Sequence, residues 1–123
     1  MSHYVEVDCK VDNAEALKKA LEEMGYNYTE GSHQIRSYGQ KRTFELSVVK
    51  DGNQLPIGWI KKDEELVLEG DFYNTGIKSS AFGKEVSRLH TKHKTSDWLL
   101  KKGYRVKHEV DNEGRAVVVG TKW

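Results

Sequence analysis

Cysteine appears once, at Cys9, and proline once, at Pro56. A lone cysteine makes no internal disulfide, so nothing points to an oxidising compartment. There is no Cys-x-x-Cys, which excludes the common structural zinc frameworks. No apolar run approaches a membrane span, and the opening "MSHYVEVDCK" lacks the apolar core of a signal peptide. These absences lead us to expect a water-soluble protein inside the cell, away from membranes. The glycines are dispersed. They form neither a phosphate-binding loop nor G-x-G-x-x-G, and no serine sits in a nucleophile elbow.

What is present suits one domain. The length of 123 residues leaves little room for a second and is enough to bury a core without staples. Three Trp, six Tyr and three Phe supply bulky core material. The net charge of +1 hides an asymmetry. Residues 1–77 carry nine Lys and Arg against fourteen Asp and Glu, a balance of −5. Residues 78–108 carry nine against two, a balance of +7. Such a split marks either a solvated basic helix or a face for an acidic partner.

"YVEVDCKV" alternates, with Val5, Val7, Cys9 and Val11 on one side, as a half-buried strand does. Cys9 then reads as a small core residue. Asp12 or Asn13 can cap the helix that follows, in which Ala14, Leu17, Leu21 and Met24 form an apolar stripe and Gly25 supplies the stop. "YNYTEGSH" reads as a loop or a short extended piece, and "IRSYGQKRTFELSVVKDGNQL" as two strands broken near Gly39 and Gln40. "KDGN" is a hairpin turn. Leu55 to Ile60, with Pro56 near its start, and "ELVLEGDFY" are further strands. A second helix is expected over about Ala81 to Lys101, capped by Ser79 or Ser80 and ended by Gly103. "YRVKHEV", "DNEG" and "RAVVVGTKW" close the chain as a hairpin. The order is β-α-β-β-β-β-α-β-β. It predicts an α+β fold over residues 1–123, a single compact domain of mainly antiparallel sheet with two helices on one face.

The second helix carries the stretch richest in chemistry, "RLHTKHKT". Its core stripe is read as Phe82, Val86, Leu89, His93 and Leu100, with His90 on the flank and Trp98 facing away. Two histidines three apart can share a metal. Zinc, however, needs three or four ligands, and His3, His33, His108 and Cys9 offer no tight spacing with the pair. No metal and no cofactor is therefore expected, and a metal-dependent enzyme is the third reading. Lys92, Lys94, Lys101, Lys102 and Arg105, with Trp98, are the candidate contacts for a protein partner or for nucleic acid. Phosphate binding needs positive charge, and an outward Trp can stack on a base or on a partner's side chain.

Catalytic constellations are weak. Cys9 and His3 share a strand face but lack a third group. Asp63, Glu64 and Glu65 sit in a polar turn. The reading is thus a non-enzymatic binding or accessory module that engages a protein partner. A nucleic-acid-associated protein is the alternative. Open sheet edges also allow oligomers.

Several of these stretches occur together in one known family. The chain opens "MSHY", places "DNAEALKKALEEMGY" behind its first strand, continues with "IRSYG", and runs a helix from Phe82 through Val86, Leu89 and His90 to "KKGY". It ends with a turn holding Gly114, a valine-rich strand and Trp123. In this it resembles the hypothetical chloroplast reading frame thirty-five family, a domain of unknown function found in algal plastids, cyanobacteria, other bacteria and phages. The resemblance covers nearly the whole chain and implies a compact α+β domain, in the cytoplasm or, for an algal source, the plastid stroma. It brings no activity or catalytic residue. The family usually carries an aromatic where His90 stands, and a Trp in the segment that here reads "DFYNTGIKSS". It also suggests a role for the chain ends. If the first and last strands are neighbours, His3, Tyr4, Arg36, Tyr38 and Trp123 gather on one surface.

Overall fold

The computed structural model of the protein describes residues 4–37 and 40–122, without the side chains of residues 36, 37, 40 and 116. The alternation of the first strand, β1 (Val5–Val11), buries Val7, Cys9 and Val11. The helix α1 (Ala14–Glu23) starts where Asn13 Oδ1 accepts the Ala16 N–H at 3.0 Å. It ends before Gly25, whose φ of +87° is the left-handed stop. Its buried face is Ala16, Leu17, Ala20 and Leu21. Ala14, expected in that stripe, is exposed because the docked face is rotated towards the two later alanines.

Four strands follow: β2 (Asn27–Ser37), β3 (Gln40–Lys50), β4 (Asn53–Lys62) and β5 (Glu65–Gly70). With β1 they form an antiparallel sheet in the order β1-β5-β4-β3-β2. The Asp51-Gly52 turn joins Lys50 to Asn53 with φ of 52° and 78°, the two positive values that a tight hairpin requires. The stretch "YNYTEGSH", read as a loop or short extended piece, belongs to β2 from Asn27 on. Gly31, at φ +94°, sits in a bulge between the Glu30 and His33 pairs, and that irregularity hides the alternation. Pro56 lies in the interior strand β4. Its missing N–H falls where the β3–β4 pairing jumps from Val49↔Gln54 to Ser47↔Gly58.

Both helices pack on one face of this sheet. Leu17 and Leu21 of α1 share a core with Leu46, Val48, Ile57, Trp59 and Leu68 of the strands and with Phe82 and Val86 of α2 (Ser79–Lys101). Phe82 is the hub, with ring centroids 5.7 Å from Tyr26, 6.1 Å from Trp59 and 6.2 Å from Phe72. The helix begins earlier than expected. Lys78 holds the N-cap position without a side-chain bond, so Ser79 and Ser80 lie in the first turn and do not cap it. On the other face the sheet curls. Tyr4 Oη donates to Ile35 O at 3.2 Å, Arg42 lies 5.2 Å from the Tyr4 ring, and Phe44 covers Gly58.

α2 runs alongside the outer edge of β1. A Cβ at Gly83 would lie 2.7 Å from Asp8 O and 2.9 Å from Val7 Cγ1, so the helix backbone rests against the strand there. One helical turn on, Lys10 N donates to Ser87 Oγ at 3.1 Å. Beyond it, Asp12 N and Asn13 N donate to His90 Nε2 at 3.4 and 3.2 Å. Over the first step the spacings match, since four helical residues rise about 6 Å and two strand residues about 6.6 Å; the second step sets three helical residues, about 4.5 Å, against two of the strand.

The chain closes with β6 (Tyr104–Val110) and β7 (Ala116–Lys122), which pair only with each other as a second, two-stranded sheet. This hairpin docks on α2 through Leu99, whose methyl carbons would lie 2.9–3.0 Å from a Cβ at Gly120. Among the described residues, no helix is long and apolar enough to cross a membrane.

The Gly83 contact gives a stability prediction. Gly83→Ala forces α2 off β1 and is expected to lower unfolding free energy by about 1–3 kcal/mol. Urea denaturation with an unchanged m-value checks it.

Candidate functional site

The wheel reading of α2 needs two corrections. His90, placed on the flank, is buried at 3% exposure, whereas His93 is only partly buried. Leu100, placed in the core stripe, is 53% exposed, because its section of α2 extends past the main sheet's core. Trp98 faces outward as expected and is 57% exposed.

The charges on α2 divide into two groups. Lys92 Nζ lies 2.7 Å from Glu23 Oε1, and Lys94 Nζ 2.7 Å from Asp12 Oδ2. Asp97 of α2 holds Lys19 of α1 at 3.0 Å, and Arg88 holds Glu85 at 2.6 Å. The hydrogen bond from Lys94 holds the Asp12 carboxyl below its ordinary pKa, and that from Lys92 does the same for Glu23. These four pairs keep α2's central charges within the fold. Lys101 and Lys102 differ, since no carboxylate among the described residues lies within ion-pair distance of either. Lys102 Nζ instead stands 6.0 Å from the Trp98 ring centroid. Lys94, Lys101 and Lys102 sit at i−4, i+3 and i+4 from Trp98, the positions that neighbour it on a helix surface. Arg105 is exposed in β6, opposite Thr121. Of the sequence-predicted contacts, Lys94, Lys101 and Lys102 thus neighbour Trp98 near the C-terminal end of α2, with Lys92 tied to Glu23.

Among the described residues, no group of three or more His, Cys, Asp or Glu is arranged to hold a metal ion. His90 Nε2 is already an acceptor for two backbone N–H groups. His93 Nε2 lies 3.5 Å from Glu23 Oε1, within ion-pair reach but without hydrogen-bond alignment, and its ring centroid is 6.3 Å from that of His108. Burial lowers the pKa of both His90 and His93.

A groove of about 760 Å³ opens beside β1, between Glu65 of β5 and His90 and Lys94 of α2. Cys9 lines it, but burial pushes the thiol pKa up, the wrong direction for a nucleophile. Of the chain-end residues, Tyr4 reaches Ile35, the neighbour of Arg36. The strand adjacency behind that expectation does not occur, since β1 pairs with β5 and β7 with β6. His3, Tyr38 and Trp123, and the side chain of Arg36, lie outside the described residues.

The contacts of Gly83, Ser87 and His90 were not anticipated. Their signal is a small residue, a hydroxyl and a histidine at i, i+4 and i+7 along one side of the core stripe.

Fold and site together define an α+β domain whose second helix seals a sheet edge and ends in an exposed tryptophan. The chain belongs to the family described as protein of unknown function (DUF1257), whose model matches residues 20–119. It is 28% identical over 127 residues to Uncharacterized protein ycf35 of Cyanophora paradoxa, covering 100% of this chain and 98% of that relative. No solved structure matches it.

Trp98→Phe is expected to leave stability within about 0.5 kcal/mol of the parent, because the side chain is exposed. It should also lower the fluorescence quenchable by iodide by the share that Trp98 contributes, since the adjacent lysines attract the ion, whereas buried Trp59 stays unquenched. Thermal melts and iodide quenching of both proteins check this.

Proposed function

We propose that the protein is a non-enzymatic binding module, and that Trp98 with Lys101 and Lys102 contacts an acidic protein partner. The carrying observation is the exposed Trp98 beside two lysines that have no carboxylate partner among the described residues, on a helix whose Lys92 and Lys94 are paired. Tryptophan dominates protein interfaces because one ring buries a large area at small entropic cost. The lysines steer an acidic surface towards it and set its orientation.

The pairing of Lys92 and Lys94 favours a protein over a nucleic acid. Tracking a phosphate backbone needs a run of available cations. Here the run is interrupted by Glu23 and Asp12, and what remains is one aromatic with a short cationic flank.

The test is capture from the source organism's native lysate, with and without nuclease, by the tagged protein, W98A and K101E/K102E. A protein retained after nuclease treatment by the parent and lost to both folded variants supports the reading. Equal capture by all three overturns it. Nucleic acid released by moderate salt replaces it with the alternative.

A further inference from the structure

We propose that His90 is an acid-sensitive latch that holds the end of β1 and the start of α1 against α2, and that its protonation opens the outer edge of β1. This does not depend on the role of Trp98. His90 Nε2 receives the N–H groups of Asp12 and Asn13 at 3.4 and 3.2 Å. Only an unprotonated ring nitrogen accepts, so the imidazole is neutral with its proton on Nδ1. The ring is 3% exposed, and Nδ1 has no hydrogen-bond partner among the described residues. A second proton places an N–H against two backbone N–H groups and a charge in a buried site.

The surroundings give the cation little relief. Asp12 Oδ1 lies 3.5 Å from Nε2, but both Asp12 oxygens are committed to Lys94 at 2.7 and 2.8 Å. From β1, Asp8 and Lys10 line the same groove, as do Glu65 of β5 and Lys94 of α2. The contact from α1 is the uncharged Asn13. Burial is the largest influence and lowers the imidazole's pKa. Asp12 raises it and Lys94 lowers it further.

The direction of the pH effect follows. With the folded value below the unfolded one, the unfolded chain takes the proton first as pH falls. The latch is at full strength above about pH 6.5 and weakens as pH drops from there towards the lower folded value. Asp12 and Glu23 also favour the fold at higher pH, but their carboxylates sit below the ordinary range and titrate well under this window.

What the latch protects is a strand edge. α2 covers the outer side of β1 at Asp8, Lys10 and Asp12 through Gly83, Ser87 and His90. A strand released from such cover presents unpaired N–H and C=O groups to any extended segment.

The experiment is amide hydrogen exchange by NMR on the full chain at pH 7.5 and 5.5, with imidazole titration of the same samples. The parent, H90Q and H93Q are compared. A glutamine side-chain oxygen at position 90 accepts at either pH. Expected are an Nδ1–H tautomer for His90 at pH 7.5 and a titration midpoint below the ordinary histidine value. Protection at Asp12 and Asn13, corrected for intrinsic exchange, falls by about tenfold at pH 5.5 in the parent and in H93Q, but not in H90Q. An Nε2–H tautomer at pH 7.5, or His90 protonation without loss of protection, overturns the proposal. Should H90Q fail to fold, the parent's tautomer and its protection against pH decide alone.

Discussion

The alignment of α2 with the outer edge of β1 is the constraint on which the rest of the structure depends. An edge strand exposes a row of backbone groups, and here a helix covers them with side chains in place of another strand. Gly83 removes the Cβ that would strike Asp8 O, Ser87 accepts from Lys10, and His90 accepts from Asp12 and Asn13. The arrangement works because the helical and strand spacings nearly agree from Gly83 to Ser87 against Asp8 to Lys10, and the longer His90 side chain reaches the next step. With α2 fixed in this place, Phe82 and Val86 enter the core between Trp59 and Val7, and α1 is held where Asn13 can cap it.

The charge asymmetry of the sequence is largely the electrostatic counterpart of this docking. The acidic first part of the chain and the basic second helix meet at Asp12–Lys94 and Glu23–Lys92, with Lys19–Asp97 reversing the sense. Exposed pairs of this kind each contribute little to stability. They do orient α1 against α2, and they leave Lys101 and Lys102, near Trp98 at the end of α2, without an ion pair among the described residues. The overall charge split is therefore a poor guide to a partner, whereas the local remainder is informative.

Local signals carried most of the fold. The alternation around Cys9, the Asn13 cap, the left-handed Gly25 and the Asp51-Gly52 turn each depend on neighbours a few residues away, and each matches the structure. What those signals left open needs distant partners. "YNYTEGSH" becomes a strand only because β3 pairs with it around a bulge at Gly31. The closing hairpin forms its own sheet, which no local pattern distinguishes from an extension of the main one. Trp98 was legible as outward because hydrophobic periodicity locates the core side of a helix. The same periodicity misplaced His90 and Leu100. It assumes one buried face along the whole length, while α2 has a second contact, with β1, over its middle turns and leaves the main core near its end.

His90 shows why that second contact matters. A phenyl ring at this position would fill a similar volume between α2 and the β1–α1 junction. A ring face is a weak acceptor for an N–H group, worth less than a conventional hydrogen bond. Imidazole keeps much of the packing and adds a true acceptor for Asp12 and Asn13, satisfying donors that α1 cannot satisfy for itself. The exchange strengthens the junction only while the ring stays neutral. Imidazole at this place therefore makes the seal on the sheet edge dependent on pH, which a phenyl ring cannot do.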